Sequence, residues 1–158
     1  MKKLDSGKGG AYDFSERCRQ VGLPLTAQRR AVYEILAHTT SHPSADTVYT
    51  MAREKLPHIS RTSVFRILDT FSVKGLIKKI ETPESAARYD GNIAWHCHTF
   101  CDDCGAIGDW HDAPFDRSRC PDQTQDGFVI FDCSCAVRGL CSECAKKRKT
   151  RKNGRGNV

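Results

Sequence analysis

We predict an α+β protein with an N-terminal winged helix-turn-helix domain and a smaller domain of strand and helix that contains a four-cysteine zinc site. Three observations support this prediction. Amphipathic helical segments precede two strand-like runs in the first 90 residues, eight of the nine cysteines follow residue 90, and the charge changes sign along the chain. Residues 1–90 contain 15 Lys and Arg against 10 Asp and Glu, residues 91–145 contain 3 against 9, and residues 146–158 contain 7 against none. A basic first segment suits a polyanion such as nucleic acid, and an acidic middle segment suits cations.

Four helices are expected in the first segment, because apolar residues recur there at intervals of three and four. The first helix spans 13–21 and ends at Gly22, where a left-handed cap is expected. The other three begin after residues whose hydroxyl can accept a hydrogen bond from the first helical turn, namely Thr26, Ser44 and Ser60. Pro57 ends the third helix, and Lys74-Gly75 ends the fourth.

A two-stranded hairpin is expected after the fourth helix, from strand-like runs at 76–81 and 87–90. Helices followed by a hairpin describe a winged helix, in which the helix from Arg61 to Lys74 lies in the major groove of DNA. The core stripe of that helix is Val64, Ile67, Leu68 and Phe71. The residues predicted to bind DNA are Arg61, Thr62, Ser63, Phe65 and Arg66. A helical domain whose Arg and Lys side chains are merely solvated is the alternative.

The composition argues against a membrane protein. Apolar residues make up 39% and charged residues 28%, and the mean hydropathy is -0.54. The longest apolar run, Phe128–Phe131, is far shorter than the roughly 20 residues of a membrane span. Residues 1–10 lack the apolar stretch of a secretory signal, so we expect a cytoplasmic protein without a membrane partner. In that reducing compartment, metal binding is a stronger interpretation of the nine cysteines than a disulfide framework.

Two cysteine pairs predict a structural zinc site. Cys101 and Cys104 form one CxxC turn, Cys141 and Cys144 form the other, and 36 residues separate the two turns. Such turns supply four thiolates around one tetrahedral ion, which is typical of structural zinc. A segment of this size buries little core, so the zinc would contribute to folding. A rubredoxin-like iron centre uses the same ligands and remains the alternative.

Imidazole and carboxylate side chains near these cysteines predict a second metal site. His96 and His98 share one face of a strand, while Cys97 points away. Asp109 follows five residues after Cys104, and Asp90 lies at the junction of the charge segments. These ligand types suit Mn, Fe, Ni or Zn. A solvated surface role for each residue is the alternative.

Several motifs together resemble the ferric uptake regulator (Fur) superfamily of bacterial metal-dependent repressors. The resemblance covers residues 13–147 and is strongest to the peroxide-sensing branch, PerR. The matching motifs are Leu25-Thr26-Ala27-Gln28-Arg29-Arg30, His42-Pro43-Ser44-Ala45-Asp46, Ser60-Arg61-Thr62-Ser63-Val64-Phe65-Arg66, Arg88-Tyr89-Asp90, His96-Cys97-His98 and both CxxC pairs.

The resemblance implies a homodimeric repressor that is not an enzyme. It implies that one regulatory Fe or Mn ion is bound by His42, Asp90, His96, His98 and Asp109. It also implies that hydrogen peroxide oxidises His42 or His96 in the iron form, after which the protein releases DNA. The second domain would be a small α/β dimerisation domain, and the dimer would bind an inverted-repeat operator. Asp109 favours the peroxide branch, because iron-sensing members usually have Glu there.

The resemblance also sets the expected domains and marks departures from the family. We expect a DNA-binding domain at 1–90 with a hinge at 88–92, a metal-binding dimerisation domain at 93–145, and a disordered basic tail at 146–158. Phe65 replaces a usual Tyr, and between Asp112 and Gly127 the run 113–121 is a poor helix where relatives have an amphipathic one.

Cys97, Asp116 and Cys133 fall where some relatives bind a further metal ion. They could form a softer third metal site or a thiol switch. Packing cysteines without a ligand are the favoured interpretation of Cys97, Cys120, Cys133 and Cys135. Two alternative functions remain, a repressor that senses iron, manganese or zinc availability and a rubredoxin-like electron carrier.

Overall fold

The computed structural model describes residues 14–82, 86–111, 114 and 120–153, with side chains as far as residue 150. The chain divides into two compact units, the first ending at Ala94 and the second beginning at Trp95. Within the described residues, no helix is long and apolar enough to cross a membrane.

Four helices dominate the first unit, and they follow the predicted segments. Their bounds are Phe14–Gln20 (α1), Ala27–Ala37 (α2), Ala45–Lys55 (α3) and Arg61–Val73 (α4). The predicted N-caps are confirmed, because the hydroxyl of each cap accepts a hydrogen bond from the backbone N–H three residues later; the caps are Thr26, Ser44 and Ser60. Gly22 and Gly75 have left-handed φ angles of 65° and 68° and follow the ends of α1 and α4, as predicted.

The core of the first unit lies between these helices. The predicted stripe of α4 is buried, and Val64, Leu68 and Phe71 have no exposed surface. Phe71 meets Phe14 edge to face with ring centroids 5.7 Å apart, and Phe14 stacks on Tyr33 of α2 at 4.3 Å. Burying a side chain such as Leu68 contributes about 2 kcal/mol. Helix α4 is therefore held by its inner face, and its outer face stays in solvent.

A short hairpin follows α4 in the first unit. Strand β1 (Lys78–Ile80) pairs antiparallel with β2 (Arg88–Asp90). Strand β1 is shorter than predicted, because Leu76 and Ile77 are buried in the helical core rather than paired in the sheet, and β2 begins one residue later than predicted. Residues 83–85 of the predicted turn lie outside the described residues.

The second unit is built on a three-stranded sheet. Its strands are β3 (Cys97–Cys101), β4 (Ile107–Trp110) and β5 (Cys135–Gly139), in the order β4-β3-β5. Strand β4 is antiparallel to β3, whereas β5 is parallel to it. Helix α5 (Ser142–Asn153) begins directly after β5. The two CxxC turns therefore follow the same ends of two neighbouring parallel strands.

The prediction of a disordered basic tail is wrong for residues 146–153, which belong to α5. The backbone N–H of Ala145 donates to the Cys141 carbonyl at 2.9 Å, so the second CxxC turn starts the helix. In the next turn of α5, Lys146 forms an ion pair with Glu143 at 3.1 Å. Lys and Arg are good helix formers, and positive charge is favourable toward a helix C-terminus. Residues 154–158 of the predicted tail lie outside the described residues.

Four cysteines outside the CxxC turns form two disulfides, which corrects the prediction of packing cysteines without a partner. Cys97 is bonded to Cys135, and Cys120 is bonded to Cys133. The sheet register explains the first bond, because Cys97 on β3 lies directly opposite Cys135 on β5 with their Cα atoms 4.5 Å apart. Asp116, the third member of the predicted softer metal site, lies outside the described residues.

The segment that was predicted to be a poor helix is only partly described. Residues 112–113 and 115–119 lie outside the described residues. Of the run 113–121, residues 114, 120 and 121 are described and none of them lies in a helix, so the rest of this expectation stays a prediction.

Candidate metal centres and nucleic-acid interface

Four cysteines converge at one end of the sheet in the second unit. Cys101 ends β3, Cys104 lies in the following turn, and Cys141 and Cys144 flank the start of α5. Their Sγ atoms lie within 4.8 Å of one another, and those of Cys104 and Cys141 are 3.8 Å apart. Zn–S bonds of about 2.3 Å in a tetrahedron place the sulfurs about 3.8 Å apart. The structure therefore brings the four predicted cysteines together in a geometry that fits structural zinc.

The electrostatics of this cluster also suit a cation. The backbone N–H of Cys141 donates to Cys101 Sγ at 3.3 Å, and this contact and the N–H of Cys104 lower the pKa of Cys101 to about 6. The neighbouring Cys141 thiol and burial raise the pKa of Cys144 to about 12. Four crowded thiols cannot all ionise without a compensating charge. A bound divalent cation would provide that charge.

A second group of ligand side chains lies at the start of β3. Asp109 on β4 is directly opposite His98, and His96 immediately precedes β3. The Nε2 atom of His96 is 3.0 Å from Nε2 of His98 and 3.2 Å from Oδ1 of Asp109. Nε2 of His98 is 3.9 Å from the same oxygen. All three side chains are largely buried, with exposed fractions of 0% for His96, 10% for His98 and 12% for Asp109. The predicted shared orientation of His96 and His98 is confirmed.

These three side chains fit one transition-metal ion. Ligand atoms about 2.1 Å from an ion and at right angles are about 3.0 Å apart. The two short separations, 3.0 and 3.2 Å, agree with that value. Two imidazoles and a carboxylate form a ligand set that suggests Fe or Mn rather than a thiophilic ion.

The other two predicted ligands, His42 and Asp90, belong to the first unit. His42 precedes Pro43 and has a φ of 48°, a left-handed conformation that non-glycine residues rarely adopt. The Pro43 carbonyl accepts a hydrogen bond from the Tyr89 N–H at 3.0 Å, which holds the loop beside β2. Asp90 ends β2, and its Oδ1 accepts from the Asn92 N–H at 2.7 Å. The backbone around both residues is therefore held in place within this unit.

Two residues near these ligands were missed in the sequence analysis. A Cβ atom at Gly91 would lie 2.6 Å from the Leu36 carbonyl oxygen, so the backbone after Asp90 packs directly against the end of α2. No sequence pattern marks that approach. The His111 ring lies 5.5 Å from the His96 ring. The spacing of two residues between Asp109 and His111 could have indicated it, because such residues share a strand face.

Helix α4 presents the predicted outer face. Thr62, Arg66 and Asp69 are exposed, while Ser63 and Phe65 are half-buried at its edges. The Ser63 N–H donates to the cap oxygen of Ser60 at 3.0 Å, which gives Ser63 a structural role in the first turn. Arg66 is therefore the exposed cation at the centre of the face.

Arg61 is also exposed, but its guanidinium is already paired. Its Nε and Nη2 atoms donate to the two carboxylate oxygens of Asp46 at 2.7 and 3.0 Å, and the guanidinium lies 5.1 Å from the ring centre of Phe65. The ion pair raises the pKa of Arg61. An exposed pair contributes little stability. A DNA phosphate could therefore replace Asp46 as the partner of Arg61.

Proteins of similar sequence are peroxide regulators. The chain is 31% identical over 132 residues to the peroxide operon regulator of Bacillus subtilis (strain 168), which covers 84% of this chain and 91% of that protein. It is 31% identical over 129 residues to the peroxide-responsive repressor PerR of Staphylococcus epidermidis, which covers 82% of this chain and 86% of that protein.

Solved structures of similar fold include a ferric uptake regulator and a peroxide stress regulator. The ferric uptake regulator Fur of Helicobacter pylori superposes with a TM-score of 0.70 at 25% identity, covering 92% of this chain and 97% of that one. The Campylobacter jejuni peroxide stress regulator gives a TM-score of 0.65 at 25% identity, covering 82% and 95%. The model of the ferric uptake regulator family matches residues 20–138. The chain therefore belongs to the ferric uptake regulator family, and not to the rubredoxin-like electron carriers.

Proposed function

We propose that this protein is a metal-dependent DNA-binding repressor that senses hydrogen peroxide through a regulatory Fe or Mn site. The group of His96, His98 and Asp109, with ligand atoms 3.0–3.9 Å apart, carries the proposal. The names of the similar peroxide regulators support peroxide, rather than metal availability, as the stimulus. The four-cysteine zinc is structural in this proposal.

His42 and Asp90 of the first unit complete the ligand set. A ligand set drawn from both units favours one arrangement of them, because the ion binds the closed arrangement more tightly than the open one. We assign DNA binding to that closed arrangement. The packed backbone around His42 and Asp90 supports their proposed role as ligands, since it holds both residues in place within the first unit.

Peroxide would act by destroying a ligand. Ferrous iron held by these ligands would supply reductive cleavage of the peroxide O–O bond. The imidazoles of His42 and His96 are the proposed oxidation targets, and each would gain one oxygen atom. Loss of an imidazole ligand removes the preference for the closed arrangement, and DNA is released. Because the protein is consumed in this reaction, it acts as a sensor rather than an enzyme.

Helix α4 is the proposed DNA-reading element. Arg66 and Thr62 lie on its outer face, and Phe65 offers apolar contact to thymine methyl groups. A homodimer joined through its second units would bind an inverted repeat, since the protein and the operator then share a two-fold axis. The basic helix α5 would add sequence-independent attraction to phosphates. This function places the protein with DNA in the cytoplasm.

The test compares zinc-containing protein loaded with Fe or with Mn, before and after dilute hydrogen peroxide. In the iron form, the fragment containing His42 or His96 should gain one oxygen atom, and a gel-shift titration should show DNA release. The manganese form should show neither change, because manganese does not support the same cleavage. His38→Ala, at an exposed histidine in the same unit, is the matched control and should behave like the parent chain.

Three results would contradict parts of this proposal. Loss of DNA binding with both histidines unmodified would overturn histidine oxidation. DNA binding that follows the concentration of iron, manganese or zinc and ignores peroxide would identify a metal-availability repressor. Visible absorption from a ferric four-thiolate centre, instead of a colourless zinc protein, would overturn structural zinc.

A further inference from the structure

The disulfide between Cys97 and Cys135 belongs to neither metal centre. It joins β3 to β5 at residues that are directly opposite in the parallel register. Cys97 is completely buried, whereas Cys135 is half-buried. Two thiols at these positions already face each other, so forming or breaking the bond requires no change of strand pairing.

The disulfide and the zinc cluster close opposite ends of the same pair of strands. Four residues lead along β3 from Cys97 to Cys101, and six lead along β5 from Cys135 to Cys141. At the zinc end, the Asp102 N–H donates to the Gly139 carbonyl at 2.8 Å, and the Cys141 N–H donates to Cys101 Sγ at 3.3 Å. The two cross-links therefore share one short stretch of sheet.

This geometry couples the two cross-links through chain entropy. Before the second unit folds, and with neither this disulfide nor Cys120–Cys133 formed, zinc must close the 36-residue loop between Cys104 and Cys141. With the disulfide formed, the path from Cys101 to Cys141 that runs through the Cys97–Cys135 bond contains only about ten residues. Loop-closure probability falls with the three-halves power of length, which gives about a sevenfold advantage for zinc binding. By reciprocity, zinc must stabilise the disulfide by the same factor.

We propose that Cys97 and Cys135 form a reversible redox site for hydroperoxides, and that its oxidation tightens zinc binding at the four-cysteine cluster. The sulfur of Cys135, the more accessible residue, attacks one oxygen of the hydroperoxide. An S–O bond forms, the O–O bond breaks, and water or an alcohol leaves. The sulfur of Cys97 then displaces the hydroxyl oxygen as water and forms the S–S bond. Two thiols are oxidised, and one hydroperoxide is reduced.

This site goes beyond the proposed function, because it requires neither the regulatory metal nor DNA. Its consequence is protection of the zinc thiols. A domain that meets peroxide exposes its zinc ligands to the same oxidant, and a loss of zinc would unfold it. Oxidation of the nearby Cys97–Cys135 pair instead increases the affinity of the cluster for zinc while peroxide is present.

The test uses the full zinc-loaded chain without added Fe or Mn. Cys120→Ser/Cys133→Ser removes the other disulfide and serves as the parent. After complete reduction, hydrogen peroxide at a few equivalents should yield a Cys97–Cys135 peptide by mass spectrometry, and dithiothreitol should reverse it. Competition with a chromophoric chelator should show zinc held about sevenfold more tightly in the oxidised form.

Two further measurements make the proposal specific. Adding Cys135→Ser to this parent should abolish the difference in zinc affinity between peroxide-treated and reduced samples. In glutathione buffers, zinc should shift the midpoint of the Cys97–Cys135 couple by about 25 mV toward the disulfide, which is a sevenfold change for two electrons. If Cys135→Ser prevents folding, the reduced and oxidised forms of the parent still give the comparison without that substitution.

The outcomes are distinct from those of the proposed function. Oxidation of the zinc cysteines while Cys97 and Cys135 remain thiols would overturn the redox site. Equal zinc affinity in the two redox states would overturn the coupling. A chain that performs this chemistry but binds no DNA with any regulatory metal would contradict the proposed function and leave the redox site established.

Discussion

Replacing Gly91 by alanine should destabilise the first unit through a single steric contact. The added Cβ would lie 2.6 Å from the Leu36 carbonyl oxygen, 2.8 Å from its carbon and 3.1 Å from the Ala37 nitrogen. All three are backbone atoms of α2 that cannot rotate away. The usual gain from Gly→Ala, about 0.4–1 kcal/mol through the unfolded state, is smaller than the cost of overpacking, about 1–3 kcal/mol. The net effect is therefore destabilising.

The assay is thermal unfolding followed by circular dichroism, with Gly139→Ala as the control because no atom beyond its two chain neighbours lies within 4 Å of a Cβ added there. Gly91→Ala should lower the Tm of the first unit by roughly 5–15 °C. Since the adjacent Asp90 is a proposed ligand of the regulatory ion, Mn binding measured by calorimetry should also weaken. A Tm within about 2 °C of the parent would show that the backbone at Gly91 does not pack on the end of α2 as described.

Three further predictions concern the metal and DNA sites. Cys141→Ser should remove zinc and unfold the second unit, because the substitution removes one of four zinc ligands from a unit that has little hydrophobic core. Stoichiometric zinc together with a native circular dichroism spectrum would contradict this prediction. Arg66→Ala should cost about 1–3 kcal/mol of specific DNA binding without changing the Tm, and an unaltered gel-shift titration would refute the assigned face of α4. Immediately after a chelator removes zinc, while the second unit is still folded, alkylation of Cys101 should have its midpoint near pH 6, because backbone N–H donors stabilise its thiolate. The folded pKa lies below the unfolded one, so this stabilisation is lost as the pH falls through about 6, and an ordinary thiol midpoint would contradict the geometry.

The sequence determined the features that depend on neighbouring residues. The hydroxyl caps Thr26, Ser44 and Ser60 and the buried stripe of α4 follow from spacings of three and four residues, which the chain itself fixes. The common orientation of His96 and His98 follows from the two-residue period of a strand. The two CxxC turns indicated a zinc site because each turn brings its own pair of sulfurs together.

Only the tertiary structure decided the features that depend on which distant segments meet. The bond between Cys97 and Cys135 spans 38 residues and exists because β5 pairs parallel with β3 in one register. Glycine is required at position 91 because the backbone there packs against the end of α2, and no pattern in the neighbouring sequence indicates that contact. The basic residues of α5 looked like a disordered tail because their charge opposes an isolated helix, whereas the CxxC turn at Cys141 starts that helix in the folded protein. Local periodic contacts form between neighbouring residues without loop-closure entropy, so the sequence alone predicts them. The pairing of remote strands depends instead on the free energy of the whole fold.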